Sequence, residues 1–362
     1  MIYLDHQATT PLAPEAREAM LRWLGGPDST TFGNPHSPHR LGRQAEAAVE
    51  VARERVAALF PAGGRVIFTG SATEALNLAL RGCAPVRAGM GVAISGIEHA
   101  AVEETARSLP NPLTILSVDG DGLVDAEGEW PAGTGLVSVM QVNNEIGTIQ
   151  PVDRLYERAR AAGALFVCDA VQAAGKLPIA AADMIAISAH KFYGPKGIGA
   201  LWVREGVELT PLLTGGGQEG GCRSGTLSPA LCAGMGVAAE LALSRMAKDA
   251  AHTDRLFARA LDLFAGWTLN GSATQRYTGN LNLRRQGVDV ARLMSDVRQV
   301  AFSAGSACAS DSGKPSRVLA VIGLSAAEAK GSIRLGLGRY TADADLEQAA
   351  SLLETAVAAQ GR

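Results

Sequence analysis

Two short runs decide the fold: Leu165-Phe166-Val167-Cys168-Asp169 and Met184-Ile185-Ala186-Ile187-Ser188-Ala189-His190-Lys191. Each is an apolar stretch of strand length that breaks off at polar residues, the pattern of a strand buried on both faces of a sheet. Arg65 to Thr69, Gly91 to Ser95, Leu113 to Val118 and Leu136 to Val142 read the same way, and helical patterns over Ala72 to Leu80 and Val152 to Ala162 lie between some of them. This alternation predicts an α/β protein with a mostly parallel sheet flanked by helices, whose ligand site lies beyond the carboxyl ends of the strands.

The chain has 362 residues, enough for a large domain and a smaller one. The Ala/Leu-rich stretch from about Ala233 to Leu263 reads as one or two long helices, and the change of domain is placed there. A strand at Gly279 to Leu283, a helix from Val288, a Gly/Ser/Ala/Cys segment around Cys308 and a final helix after Thr341 predict a smaller α+β lobe. The predicted division is 12–247 for the large domain, with 1–11 and 248–362 in the small one.

Composition narrows the function. Hydrophobic residues make up 47% of the chain and charged ones 19%, which suits a globular core and neither a disordered nor a fibrous chain. A net charge of -3 without a long basic run gives no electrostatic footprint for nucleic acid. The five cysteines, Cys83, Cys168, Cys222, Cys232 and Cys308, are odd in number and lack C-x-x-C spacing, so neither a disulfide framework nor a metal site follows. The start Met-Ile-Tyr-Leu-Asp has no leader character, and no later run reads as a membrane span, so a cytoplasmic protein without a membrane partner is expected.

Chemistry concentrates where the strands end. After Arg65 to Thr69 comes Gly70-Ser71-Ala72-Thr73-Glu74, where Ser71 and Glu74 have capping-box spacing. Such a turn can hold a phosphate on free helix amides, and it is equally the form of an ordinary helix start. Asp169 closes one of the deciding runs, with Gln172 three residues on, and Lys191 follows the other. A lysine amine forms a Schiff base with pyridoxal phosphate, and an aspartate facing the pyridine nitrogen keeps that ring an electron sink. Taken singly, each is also a common surface or capping residue. The glycines from Gly194 to Gly199 suit close approach of backbone to a ligand and equally a tight turn.

Tyr3-Leu4-Asp5 with Ala8-Thr9-Thr10-Pro11, Phe32-Gly33-Asn34-Pro35, Asn143-Asn144-Glu145-Ile146-Gly147, Ser188 to Gly199, Arg223-Ser224-Gly225-Thr226 and Ser303 to Cys308 together resemble the cysteine desulfurases. These belong to the class V aminotransferase group of fold-type I pyridoxal-phosphate enzymes, and the likeness runs nearly end to end. It implies a seven-stranded large-domain sheet and pyridoxal 5'-phosphate as cofactor. It implies Lys191 as the Schiff-base lysine, Asp169 on the pyridine nitrogen, Gln172 on the ring hydroxyl, His99 stacked on the ring and Asn144 touching it. Ala72, Thr73, Ser188 and His190 would bind the phosphate, with Thr226 reaching in from the other subunit of a homodimer. Arg334 and Asn34 would hold the carboxylate of L-cysteine, Lys191 and His99 would move protons, and Cys308 would receive the sulfur as a persulfide. The sulfur would then pass to an acceptor protein, for iron–sulfur cluster assembly or another sulfur-containing product.

The four other cysteines sit mostly among apolar neighbours and read as packing residues. Cys308, in Ser303 to Gly313, lies in a small, polar segment that reads as an exposed loop. The chain departs from the family at His6-Gln7 and at Gly220-Gly221, where an arginine is common, and it ends soon after the last helix. Housekeeping members extend further and use that tail to dock a scaffold protein, so the acceptor is left open. A class V transaminase or a selenocysteine lyase would share Lys191 and Asp169, and a non-catalytic relative would keep the fold alone. Cys308 separates the desulfurase from the transaminase.

Overall fold

The computed structural model describes residues 1–83, 89–128, 130–305 and 316–361; Cys308 lies outside the described residues. A seven-stranded sheet forms the larger layer, in the spatial order Gly64–Thr69, Gly199–Arg204, Met184–Ser188, Leu165–Asp169, Thr134–Ser138, Gly91–Ser95, Leu113–Leu116. All of its pairings are parallel except those of Gly199–Arg204, which is antiparallel to both neighbours.

That reversed strand is the one the apolar runs did not single out. Only ten residues separate Ser188 from Gly199, too few for the crossover that a parallel neighbour requires, so the chain must turn back alongside the strand it has just left. Thr134–Ser138 also ends earlier than the apolar run to Val142 suggested. The amide of Met140 is taken by the Glu98 carboxylate at 2.8 Å, while the amides of Val139 and Gln141 still donate to the carbonyls of Val167 and Asp169.

Alternate residues of each buried strand enter different cores. Phe166, Cys168, Ile185 and Ile187 join one cluster, while Val167, Met184 and Ala186 join another on the opposite face. Burying each large apolar side chain contributes about 1.5–3 kcal/mol, so a sheet covered on both faces is strongly held. A third cluster gathers Ile2 and Leu4 with Leu256, Leu281, Ile333, Leu335 and Leu346. It packs under a four-stranded antiparallel sheet ordered Ser303–Ala304, Ser332–Gly336, Asn280–Arg284, Thr268–Leu269. The amino-terminal strand Ile2–Tyr3 pairs in parallel with Val300–Ala301, which ties the start of the chain to this lobe.

One helix, Pro229–Leu263, serves both lobes. Its first half buries Cys232, Met235, Ala238 and Ala239 in the sheet-side core, and its second half buries Leu256 and Ala260 in the other. By length and composition this helix could cross a membrane, which corrects the expectation that no run of that kind is present. Its apolar residues are small because they pack at close range against helices Pro14–Leu21 and Arg40–Ala57. At Gly236 a Cβ would stand 2.8 Å from the Cα of Ala52.

Alanine normally gains about 1 kcal/mol over glycine inside a helix. At position 236 the collision is with backbone and outweighs that gain, so Gly236→Ala is expected to destabilise the protein by about 1–2 kcal/mol. A thermal melt that rose on substitution would show the helix contact to be looser than this.

Candidate active site

The carboxyl ends of the parallel strands open into one cavity of about 330 Å³. Of the residues singled out in the sequence, Ala72, Thr73, His99, Asn144, Asp169, Gln172, Ser188, His190, Lys191 and Arg334 all line it. Asn34 and Thr226 do not; both are exposed on this chain. Cys308 lies outside the described residues.

The turn after Gly64–Thr69 is built to leave amides free. Ser71 caps the helix Ala72–Cys83, its Oγ accepting from the amide of Glu74 at 3.2 Å. Glu74 does not close the reciprocal half of a capping box; its carboxylate accepts from Gly70 at 2.7 Å, one residue earlier. The amides of Ala72 and Thr73 therefore have no acceptor among the described residues. Two unpaired amides at a helix start form an anion cradle. The other oxygen of Glu74 binds Arg223 at 2.7 Å, which ties the loop bearing Thr226 to this helix.

Gly199 sets the distance between the cradle and the Lys191 turn. It pairs with both Thr69 and Ser188, and a Cβ there would lie 2.6 Å from the carbonyl carbon of Ser71 and 2.8 Å from the amide nitrogen of Ala72. The approach at this position is of backbone to backbone, not to a ligand, while Gly197, with φ 84°, takes the turn conformation.

Lys191 ends the 3-10 turn Ala189–Lys191, and its Nζ donates to the carbonyl oxygens of Gln7 at 2.6 Å and Ala8 at 2.7 Å. Neighbouring His190 has its Nδ1 3.1 Å from Thr9 Oγ1. Burial, with Lys191, Lys196 and Lys176 nearby, pushes the His190 pKa down to about 4, so its ring is neutral near pH 7. The amino-terminal segment thus supplies acceptors that no side-chain motif could have announced, since they are backbone carbonyls.

Asp169 is 5% exposed, and its Oδ1 accepts from the amide of Val171 at 2.9 Å. Burial raises its pKa, opposed by His99, the Val171 amide and Lys191. His99 caps the helix Ala100–Arg107, its Nδ1 accepting from the amide of Ala101 at 3.1 Å. That bond places the proton of the neutral ring on Nε2. Glu98, unremarked in the sequence, is buried beneath the site; burial lifts its pKa to about 8 despite hydrogen bonds from Ser95 and the Met140 amide. An acidic residue inside the apolar-to-turn transition Ser95 to Glu98 was the available signal.

Arg334 comes from the smaller lobe and is 1% exposed. Its guanidinium donates to Asp5 Oδ1 at 2.8 Å, to Ser303 Oγ at 3.2 Å and to the carbonyl of Asn144 at 3.1 Å, while its buried Nε has no partner among the described residues. A fixed fork with an N–H to spare, at the wall of a cavity, suits a carboxylate.

The four described cysteines, Cys83, Cys168, Cys222 and Cys232, are buried, as expected of packing residues. Burial raises the pKa of Cys168 well above its usual value and that of Cys232 to about 12. Among the described residues no cluster of three or more His, Cys, Asp or Glu could hold a metal ion.

Comparison with known proteins agrees with this arrangement. Residues 2–349 match the family model of class-V aminotransferases. The cysteine desulfurase IscS of Rickettsia felis is 44% identical, over 97% of this chain and 90% of that protein. Among solved structures, a NifS-like protein superposes with a TM-score of 0.89 at 29% identity over 99% of both chains. SspA in complex with cysteine does so with a TM-score of 0.81 at 34% identity, over 94% of this chain and all of that one. Likeness of this extent, along nearly the whole chain, makes it a member of the class-V aminotransferase family, among its cysteine desulfurases.

Proposed function

We propose that the chain removes sulfur from L-cysteine, leaving L-alanine, and carries the sulfur on Cys308 as a persulfide. The observation that carries this reading is the convergence of Lys191, Asp169, the free amides of Ala72 and Thr73, and Arg334 on a single cavity. The family is one of pyridoxal-phosphate enzymes. Bound in the cavity, that cofactor supplies an electron sink for the bond broken at the substrate's α-carbon.

The chain's own residues divide the remaining work. Ala72, Thr73, Ser188 and His190 would hold the phosphate, on amides and neutral donors suited to a dianion. Asp169 would meet the ring nitrogen, Gln172 the ring hydroxyl, and His99 and Asn144 the ring itself. The amine of Lys191 would carry the cofactor and later move the substrate's α-proton. Arg334 would bind the cysteine carboxylate through its fixed fork. The Cys308 thiolate would attack the substrate sulfur, forming an S–S bond as the C–S bond breaks and its electrons return to carbon. The persulfide sulfur would then pass to an acceptor protein, in iron–sulfur cluster assembly or another sulfur pathway in the cytoplasm.

A homodimer completes this reading. Asn34 and Thr226 are exposed and do not line the cavity of their own chain, and would serve that of a second copy; exposed Leu24, Phe32 and Leu213 offer apolar surface for it. The lobes would divide as 12–247 against 1–11 with 248–362, consistent with Ile2 and Leu4 sharing a core with Leu335 and Leu346.

The deciding experiment measures alanine and sulfide released from L-cysteine with a thiol reductant. Wild type is expected to be yellow and to make the two in equal amounts, Lys191→Ala to lose both colour and turnover, and Cys308→Ala to keep the colour and lose turnover. Full activity of Cys308→Ala, or a keto acid as product, would sink the persulfide route.

Arg334→Lys keeps the charge and loses the fork, so KM for L-cysteine should rise roughly 10- to 100-fold with a smaller change in kcat. An unchanged KM would remove Arg334 from the substrate site. In Gly199→Ala the added methyl must displace Ser71, so the Kd for pyridoxal phosphate should rise at least about tenfold, or ~1.4 kcal/mol, in a protein that still folds. Titration of the apoprotein with cofactor reads this directly, and wild-type affinity would contradict the cradle.

A further inference from the structure

Gln172 reaches the cavity with an amide whose two ends are both committed. Its Nε2 donates to the carbonyl oxygen of Gln7 at 3.0 Å, and its Oε1 accepts from Nζ of Lys176 at 3.0 Å. A carbonyl only accepts and an ammonium only donates, so these contacts permit one orientation of the amide, with the second hydrogen of its NH2 left over. The same Gln7 carbonyl accepts from Lys191 at 2.6 Å. Lys176, Gln172, Gln7 and Lys191 therefore form one connected chain behind the cavity.

Lys176 is costly where it stands. It is 9% exposed and has no carboxylate within ion-pair distance among the described residues; its other neighbour is the face of the Tyr277 ring, 5.3 Å from Nζ. Buried cations without a counter-charge weaken a fold, so packing gives no reason for this residue.

We propose that Lys176 is a positioning residue, holding the Gln172 amide with its NH2 toward the bound cofactor and setting a buried positive charge behind Lys191. The inference rests on the pyridoxal-phosphate reading above. Repulsion between the two lysines disfavours the charged form of each, so Lys176 helps to keep the Lys191 nitrogen unprotonated and thus nucleophilic. Burial first, and then Lys191, lowers the pKa of Lys176 to about 7, so the charge acts on Lys191 below that pH and fades above it. The remaining groups that face the pair do not cancel this effect. His6 and His190 are both held near pKa 4, in part by Lys176, and are uncharged at neutral pH. Tyr277 is pushed well above its usual pKa and stays a neutral phenol. Asp169 supplies the opposing negative charge, on the cavity side of Lys191.

The test is a pH titration of the visible absorbance of the holoenzyme, which follows protonation of the nitrogen that Lys191 contributes. Loss of the positive charge in Lys176→Met should raise the midpoint by about one pH unit, and the cofactor should be lost faster on dialysis. Lys176→Gln removes the charge but can still donate to Gln172 Oε1, so it should show the same rise with slower loss of cofactor than Lys176→Met; it keeps the test open should the methionine variant fold poorly. Lys176→Arg keeps the charge and should titrate near wild type. Wild-type midpoints in both Lys176→Met and Lys176→Gln, with cofactor bound, overturn the inference alone. A wild type that takes up no pyridoxal phosphate overturns the functional reading and this inference together.

Discussion

The architecture of the site depends on one constraint of chain length. Ten residues between Ser188 and Gly199 cannot make a crossover, so the strand Gly199–Arg204 must run antiparallel between two strands that share the opposite direction. Its first residue then lies level with the last residues of both neighbours, Thr69 and Ser188. The turn that opens the helix Ala72–Cys83 and the turn that carries His190 and Lys191 are thereby brought side by side, at a separation only glycine allows. An anion cradle and an amine are placed together by a rule of strand connection rather than by any contact between them.

The rest of the site is charge placed where water is scarce. Lys191 and Arg334 are held by the amino-terminal segment, the first through the Gln7 and Ala8 carbonyls and the second through Asp5. Asp5 offsets Arg334 from outside the lining and Asp169 stands on it, while Glu98 and Glu145, both raised by burial, are less readily ionised than ordinary carboxyls. With His190 neutral, the charged side chains on the lining itself are Lys191 and Arg334 against Asp169, which suits a phosphate dianion and an amino-acid carboxylate entering together. The pair Arg334–Asp5 also joins residues 329 positions apart, so the wall of the cavity and the closure of the smaller lobe share one ion pair.

Much of this was legible in the sequence because strand ends punctuate it. The apolar runs that end at Val142, Asp169 and Ser188 stop at residues lining the cavity, and ten of the residues singled out there line one space. What escaped notice has physical causes. Gln7 and Ala8 act through backbone carbonyls, which carry no residue signature. Gly199–Arg204 follows the glycine run so closely that its strand character, in Leu201 and Trp202, is masked by the turn. Lys176 looks like a surface lysine after a glycine, and only its burial beside Gln172 shows otherwise. Asn34 and Thr226 point in the other direction: their place in the motifs is clear, while a single chain leaves them on its surface.

Thiol chemistry follows from the same separation of buried and exposed. A thiolate is the nucleophile, and burial in apolar surroundings suppresses it. Cys168 lies inside the sheet beside Asp169, whose charge disfavours a second anion, and Cys232 sits on the buried face of the helix Pro229–Leu263 with its pKa pushed to about 12. Cys83 donates to the sulfur of Met184 within the core, and Cys222 is covered and engaged by Arg65 at 3.1 Å. None of these sulfurs lines the cavity, so a substrate sulfur released there has no acceptor among them. The flanks of the segment that carries Cys308 do meet the site: Ser303 binds Arg334, and Ser316 donates to Glu145, the neighbour of Asn144. The four described cysteines are thus each withheld from the cavity by their own packing.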